Sequence, residues 1–402
     1  MNAACTAVLI GCLMAGCGAE GDLAPCNIAT KSCQEDVFYA DMRLRGAAFD
    51  PFDGVPPIRT ITLAQYQSEL LAKRPKAKAT VKATGKPKIK PWDEALRLLG
   101  LIKPSTSVAS ASIEDAVSNV AAFYSGATRS VTVIDRGGDR NDYADTKLLA
   151  HELVHAFQDD ELGDFGVLTT DSSFAARALT EGEATLYEEL AGAEMDGVVP
   201  QDVDWGAHYG RWVKGLRSSL PKQKSTFYAV NWFVYPLGAG MLTRAWLDGG
   251  PAGVRNVMAA FPARTLDFVA NHEAFTPPSS PKLRCRVVAP GEGFKGVGAD
   301  SFGALQFYAF LAAARLPEAD AWAHAEKWRD DTLWVYFDDA AQAVVVYWRV
   351  RLSSKAQATA VVDAIPTSTD RTLEAIGQDV LVRGSNVPGH VDVGQDDVVC
   401  DP

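Results

Sequence analysis

The chain has 402 residues, of which 47% are hydrophobic and 22% are charged, so it is long enough to bury a large core. Its formal net charge of -11 argues against a nucleic-acid partner, because binding to phosphates requires clustered Lys and Arg that outweigh the acids. The composition gives no indication of the oligomeric state.

The first 17 residues are small and apolar, but they are fewer than a membrane-spanning helix usually needs. They therefore predict a signal peptide. The small residues directly before Cys17 resemble the lipobox of bacterial lipoproteins, in which the signal is cleaved before the cysteine and the cysteine is lipidated. An ordinary secretory signal is the alternative. The sequence therefore predicts an exported protein, either a periplasmic or outer-membrane lipoprotein anchored in the bacterial cell envelope or a secreted protein.

Four cysteines follow the signal, namely Cys26, Cys33, Cys285 and Cys400. In an exported chain this number suggests two disulfides, and three connectivities are possible. We favour Cys26 with Cys33 and Cys285 with Cys400, and no spacing among them matches a zinc-ribbon pattern. Residues 18–36 are rich in Gly, Ala, Asp and Cys, which predicts a tether between the lipid and the fold.

The segment that follows alternates short strands and helices. Apolar and β-branched runs predict strands at 58–63 and 129–135. Residues 73–90 carry eight basic residues and no acid, which indicates an exposed loop that either contacts anionic polymers of the envelope or is a solvated insertion. The spacing of apolar residues predicts helices at 64–72, 92–101, 112–122, 146–160, 175–193, 208–219, 225–248 and 252–260, with a Gly-Gly-Pro break at 249–251.

A Pro- and Ser-rich stretch at residues 276–281 predicts a domain boundary. After it, the pattern predicts helices at 300–314, 319–327 and 355–365, and a β-hairpin with strands at 332–337 and 343–352. The expected organisation is a mainly helical domain over residues 37–275, with a small sheet before its central helix, and a C-terminal module of helices around a β-hairpin over residues 282–402. The predicted fold class is α+β.

The most specific chemical feature lies on the helix predicted at 146–160, where residues 151–155 read HELVH. Residues four apart on a helix lie on one face, so His151 and His155 can bind a single Zn²⁺. Glu152 can then lean over the open coordination position and act as a base. A catalytic zinc usually has three protein ligands, so one more ligand is needed from further along the chain.

The third ligand is expected on the next helix, where residues 179–184 read LTEGEA. Here the sequence resembles the gluzincin metallopeptidases, whose second helix carries a glutamate ligand followed by small residues that let the two zinc helices approach. The resemblance implies a zincin-like core and one Zn²⁺, with Glu181 as the third ligand and Gly182 and Ala184 in the packing positions. Glu183 lies close enough in sequence to compete for the ligand role.

Together, the segments HELVHAFQDD and RALTEGEATL also resemble a family of largely uncharacterised exported bacterial proteins, which carry an HELxHALQDQ-type helix and a downstream EGEA helix. The resemblance extends more weakly over most of residues 40–365. In zinc peptidases built on such a helix, the preceding edge strand commonly pairs with extended substrate, so residues 130–135 are a candidate substrate cradle. The other interpretation is that this strand is simply part of a small sheet.

These residues imply a hydrolytic reaction. Zinc lowers the pKa of a bound water and polarises a carbonyl oxygen. Glu152 would accept the proton of that water as it attacks a peptide carbonyl, and would pass it to the leaving amine. An oxyanion also needs a donor, for which Tyr235, His208 and His272 are the candidates.

A zinc-bound imidazole normally donates its other N–H group to a carboxylate or a carbonyl. Asp159 lies one turn after His155, and Glu188 lies two turns after Glu181. Either acid could serve as this acceptor, and either could equally belong to a solvated helix face.

The sequence thus predicts a zinc-dependent peptidase of the cell envelope that acts on a peptide or protein substrate. The alternative is a catalytically inactive, zincin-like lipoprotein that serves as a binding or assembly module, with metal absent or purely structural. The two differ at the metal, because a structural site is closed by a fourth protein ligand whereas a catalytic site keeps a water.

Overall fold

The computed structural model describes residues 23–46, 54–72, 89–138, 141–163, 165–261, 263–270, 285–366, 368–387 and 398–400. The predicted signal peptide with Cys17, residues 73–88 of the basic loop, His272 and the predicted boundary at 276–281 lie outside these residues. Within the described ranges, no helix is both long and apolar enough to cross a membrane.

The first part of the chain packs helices against a small sheet. Its strands are β1 (Ile58–Thr62), β2 (Ala122–Ser125) and β3 (Ser130–Asp135). Its helices are α1 (Lys31–Arg45), α2 (Leu63–Ala72), α3 (Pro91–Leu98), α4 (Val108–Asn119), α5 (Asp142–Glu161), α6 (Thr170–Met195), α7 (Trp205–Ser219), α8 (Thr226–Ala229), α9 (Val234–Ala260) and α10 (Leu266–Val269). Gly250 in α9 has non-helical backbone angles, which confirms the predicted break at 249–251.

The second part of the chain is built on an antiparallel sheet with the strand order β5-β6-β7-β9-β8. The strands of this sheet are β5 (Lys295–Asp300), β6 (Trp328–Asp338), β7 (Ala343–Leu352), β8 (Arg371–Ile376) and β9 (Asp379–Ser385), and a separate pair is formed by β4 (Cys285–Val287) and β10 (Val398–Cys400). The helices of this part are α11 (Gly303–Ala313), α12 (Glu318–Ala325) and α13 (Lys355–Ala364). The predicted hairpin is confirmed as β6 and β7, but it belongs to a larger sheet whose strands β5, β8 and β9 were not predicted; the protein is α+β.

The small sheet has the order β1-β3-β2, with β1 parallel and β2 antiparallel to β3. Ile58 of β1 lies opposite Val131 of β3, so β3 has a neighbour on each side. The expectation that residues 130–135 form an edge strand is therefore wrong. Among the described strands, β2 is the edge on the side away from β1.

The predicted tether differs from the structure over residues 23–36. Leu23, Ile28 and Cys33 are buried, and α1 begins at Lys31 after the N-cap Thr30, whose side chain accepts a hydrogen bond from the backbone of Cys33. Composition alone suggested a flexible segment, but these few apolar side chains dock on the core formed with β3 and α5. Burial of this kind outweighs a polar composition.

The predicted disulfide between Cys26 and Cys33 is formed, with its Cα atoms 5.6 Å apart. Cys285 is also disulfide-bonded, and its backbone lies opposite that of Cys400 in the antiparallel pair of β4 and β10. This register agrees with the favoured pairing of Cys285 with Cys400, although the structure describes only the backbone of Cys400.

One apolar cluster runs from α3 to β9 and so includes residues from both predicted domains. At its centre the fully buried indole of Trp348 in β7 is contacted edge-on by the rings of Phe302, Phe307 and Phe310. The described parts of the two predicted domains therefore pack together around a shared apolar core.

Helices α6 and α9 approach each other backbone to backbone. A Cβ atom built on Gly182 would lie 2.4 Å from the carbonyl carbon of Gly238, and one on Gly238 would lie 1.7 Å from the carbonyl oxygen of Ala178. The resemblance to gluzincins implied that Gly182 lets the two zinc helices approach, but the structure places Gly182 against α9. The close approach fixes the part of α6 that carries Glu181.

Candidate metal centre

Helix α5 presents the HELVH residues to α6. The N-cap of the helix is Asn141, whose side chain accepts hydrogen bonds from the backbone of Tyr143 and Ala144. One helical turn separates His151 from His155, and their ring centroids are 5.0 Å apart. Both imidazoles therefore face the same part of helix α6.

Glu181 of α6 closes this group. Its Oε2 atom lies 3.5 Å from Nε2 of His151 and 3.3 Å from Nε2 of His155. These separations are longer than a charge-assisted hydrogen bond of about 2.7–2.9 Å. They match the edge of a tetrahedron of Zn²⁺ ligands, which is about 3.3 Å for bonds of about 2.0–2.1 Å. Two imidazole nitrogens and one carboxylate oxygen, all within 4.8 Å of one another, fit a zinc ion.

Glu183, the competing ligand candidate, points away from the imidazoles. Its Oε1 accepts a hydrogen bond of 2.7 Å from Arg45, and its Oε2 accepts one of 2.8 Å from Gln158. A step of two residues along a helix rotates a side chain by about 200°, so Glu181 and Glu183 cannot face the same neighbour. The geometry favours Glu181 as the ligand.

The three groups are electrostatically coupled. Burial lowers the pKa of His151 and of His155, but the nearby carboxylates, Glu181 foremost, together outweigh burial and raise both. Burial raises the pKa of Glu181, but the two histidines outweigh it and hold this pKa well below its usual range. Protons and a metal cation therefore compete for the same cluster.

Glu152 lies between the metal cluster and strand β2. It is buried, and burial raises its pKa by more than the neighbouring His151 and His155 and the nearby backbone of Tyr124 lower it. The contact with Tyr124 matters because that residue belongs to the edge strand of the small sheet. The carboxylate beside the cluster therefore lies next to the edge strand β2.

Of the two acids expected to accept a hydrogen bond from the imidazoles, one lies beside its histidine and the other does not. Glu188 lies 3.1 Å from Nδ1 of His151, as the helical spacing allowed. Asp159 is placed elsewhere, because its carboxylate accepts a hydrogen bond of 3.0 Å from the hydroxyl of Tyr124 on β2. Gln158, which the sequence did not single out, takes the position beside Nδ1 of His155 at 2.8 Å.

Of the three oxyanion-donor candidates, the structure brings Tyr235 to the site. Its ring stacks on that of His151 at 6.0 Å, and burial raises the pKa of its phenol, so the hydroxyl remains a donor. His208 is placed elsewhere, with Nε2 3.7 Å from Glu189 and its ring against Trp205.

An aromatic wall extends from the site. The rings of Trp232 and Trp212 stack on Tyr235 at 5.4 and 6.4 Å. Both tryptophans also line a cavity of about 660 Å³, together with Tyr228, Asp115 and Lys224. Nothing in the local sequence marks this wall, because its members come from α7, from the turn before α9 and from the start of α9.

Comparison with known proteins adds no relative to this description. A scan against known protein families finds no match, and searches of the curated proteins and of the solved structures find no significant match either. The proposals below therefore rest on the residues and their geometry.

Proposed function

We propose that this protein is a zinc-dependent, gluzincin-like peptidase with a zincin-like core. The observation that carries the proposal is the position of Glu181, whose Oε2 lies within 3.5 Å of Nε2 of both His151 and His155, with Glu152 buried beside them. His151, His155 and Glu181 would hold one Zn²⁺ and leave a fourth position for water and substrate, as catalytic zinc sites do.

Zinc, when bound, would polarise the substrate carbonyl and lower the pKa of the attacking water. Glu152 would take the proton from that water and return it to the leaving amine. Tyr235 would donate its hydroxyl hydrogen to the developing oxyanion, since its ring already stacks on His151. These groups come from three helices, Glu152 from α5, Glu181 from α6 and Tyr235 from α9.

We assign the substrate cradle to β2 in place of the predicted residues 130–135. Strand β2 is an edge strand, and its Tyr124 contacts Glu152, so an extended peptide added to this edge would pass the carboxylate. The substrate would be a peptide or protein reached at the cell envelope, to which a lipid on Cys17 would anchor the chain. The disulfide between Cys26 and Cys33 supports an oxidising compartment.

The test combines metal content with one isosteric variant. Purified protein should contain about one zinc per chain and should cleave a peptide library until a chelator removes the metal. Glu152→Gln should keep the zinc and lower kcat by about 10²–10⁴-fold, because a general base is lost. The matched control is Glu189→Gln, which changes a carboxylate of α6 that pairs with Lys147 and lies outside the metal cluster.

Full activity in Glu152→Gln would refute the mechanism. Zinc binding without cleavage of any peptide, or a site closed by a fourth protein ligand, would favour the binding or assembly module. Absence of zinc in the wild-type protein would refute the metal site itself.

A further inference from the structure

We infer that Gln158 positions the zinc ligand His155, and that the buried ion pair of Glu183 with Arg45 fixes the orientation of Gln158. The inference rests on the proposed zinc site but not on peptidase activity. It concerns a series of buried polar contacts that begins at Arg45 on α1, passes through Glu183 on α6 and ends at Gln158, on the side of α5 that carries His155.

The first link joins Gln158 to His155. Gln158 lies three residues after His155 on α5, so both side chains share one face of the helix. Its Oε1 atom is 2.8 Å from Nδ1 of His155. Its Nε2 atom donates hydrogen bonds to the carbonyl of Thr180 at 2.9 Å and to Oε2 of Glu183 at 2.8 Å.

These contacts determine which way the amide points. A glutamine amide has one acceptor end and one donor end. The donor end is committed to two oxygens on α6, so a reversed amide would place its oxygen against both of them. Oε1 of Gln158 must therefore face His155, whose Nδ1 then carries the hydrogen and whose Nε2 lone pair would be free to bind Zn²⁺ together with Glu181.

The second link holds Glu183 in place. Arg45 donates to Oε1 of Glu183 at 2.7 Å and to Glu161 at 2.9 Å, and its guanidinium lies 5.0 Å from the ring centre of Phe157. The side chains of Arg45 and Glu183 are only 6% and 4% exposed. Arg45 thus occupies one oxygen of Glu183 and leaves the other to accept from Gln158.

The two zinc histidines are consequently oriented by different chemistry. Nδ1 of His151 faces the carboxylate of Glu188, whereas Nδ1 of His155 faces a neutral amide whose direction is set from α1. Arg45 is the last residue of α1, the first described helix after the predicted lipid anchor. Docking of α1 therefore contributes to the shape of the metal site.

The first experiment compares zinc affinities by competition with a chromophoric chelator. Gln158→Leu should weaken zinc binding by about 10–100-fold, the usual effect of removing the partner of a ligating histidine. The matched control is Gln306→Leu, which removes a fully buried glutamine of α11 that donates to the carbonyl of Phe227. This control should lose stability but bind zinc as the wild type does.

The second experiment exchanges the two groups. The double variant Q158E/E183Q keeps an acceptor for Nδ1 of His155, a donor towards position 158 and an acceptor for Arg45. Its zinc affinity should exceed that of Q158E alone, which sets two carboxylates side by side, but should stay below that of wild type, because the new carboxylate also faces the carbonyl of Thr180. NMR of the zinc-loaded proteins should show an exchange-protected Nδ1 proton on His155 in wild type and in the exchanged variant, but not in Gln158→Leu.

The outcomes separate this inference from the proposed function. If the wild-type protein takes up no zinc, both fail. If the wild type binds zinc and Gln158→Leu binds it equally tightly, or if Q158E/E183Q binds no better than Q158E alone, the zinc site stands and the role of Gln158 is refuted.

Discussion

Arg45 is the buried cation on which several acids of the first part of the chain depend. Arg45→Met would leave Glu183 buried without its charged partner, so we expect the free energy of unfolding to fall by about 3–5 kcal/mol. Urea denaturation would measure the loss. The matched control is Arg43→Met on the same helix, where the side chain is 55% exposed and pairs with Glu194, and where the loss should stay below about 1 kcal/mol. Equal losses in the two variants would contradict the importance of the buried pair.

For single residues, the sequence predicts the part of the site that local helix geometry determines. His151 and His155 share a face because they are four residues apart, and the glutamate of the next helix was predicted as Glu181 with Glu183 as competitor. The partner of His155 was not predicted correctly, because Asp159 is rotated by about 100° from Gln158 and faces β2. The contact of Arg45 with Glu183 spans 138 residues, and no local pattern encodes it.

Among the contacts between helices and strands, the close approach of α6 to α9 allows the most direct test. Gly238→Ala would drive a methyl group into the carbonyl of Ala178, so the helices must separate, and Glu181 moves with α6. We expect a loss of about 3 kcal/mol in the free energy of unfolding and weaker zinc binding. Thermal unfolding and chelator competition would measure the two effects.

The control for that variant is Gly215→Ala in α7, where a Cβ atom would meet nothing within 4 Å. It should stabilise the protein by about 0.5–1 kcal/mol, because alanine favours a helix over glycine, and zinc affinity should not change. A Gly238→Ala protein as stable as wild type would show that the helices are less closely packed than the structure indicates.

The sequence predicts long elements well and short or distant ones poorly. Helices α5 and α6 and the hairpin of β6 and β7 have strong periodicity, and their predicted bounds lie within a few residues of the observed ones. Strand β2 has only four residues, and α1 carries few apolar side chains, so neither was predicted. The order of the small sheet was also missed, because β1 and β3 pair across about 70 residues of chain.

Two buried acids lie near the contact between the two halves of the molecule, which are the first and second parts of the chain. Asp171, in the first turn of α6, donates its backbone N–H to the carbonyl of Ser301 in the second part at 2.9 Å, and its carboxylate accepts a hydrogen bond of 2.9 Å from the backbone of Thr265. Asp331 of β6 accepts from the backbone of Phe302 at 2.9 Å and from the indole of Trp348 at 2.6 Å. Burial raises the pKa of Asp171 to about 7 and that of Asp331 to about 6. The junction of the two halves is therefore a place where protonation affects the whole fold.

For Asp171, the pKa in the folded state is raised above its ordinary value of 3.8, so the folded chain holds more protons than the unfolded chain between about pH 4 and 7. The stability from this group is fully present below pH 4 and is lost as the pH rises to about 7. Since one pKa unit corresponds to about 1.4 kcal/mol, the free energy of unfolding should fall by a few kcal/mol over this interval.

Asp171→Asn keeps an acceptor for Thr265 but removes the charge, so its unfolding free energy should depend less on pH and should exceed that of wild type above pH 7. Urea denaturation in the presence of a chelator would measure this without interference from zinc binding. Asp160→Asn is a control for which the pH dependence of stability has the opposite sign. Arg129 lowers the pKa of this exposed carboxylate, so the stability that the carboxylate contributes is lost as the pH falls. Parallel pH profiles for wild type and Asp171→Asn would contradict the raised pKa at the junction.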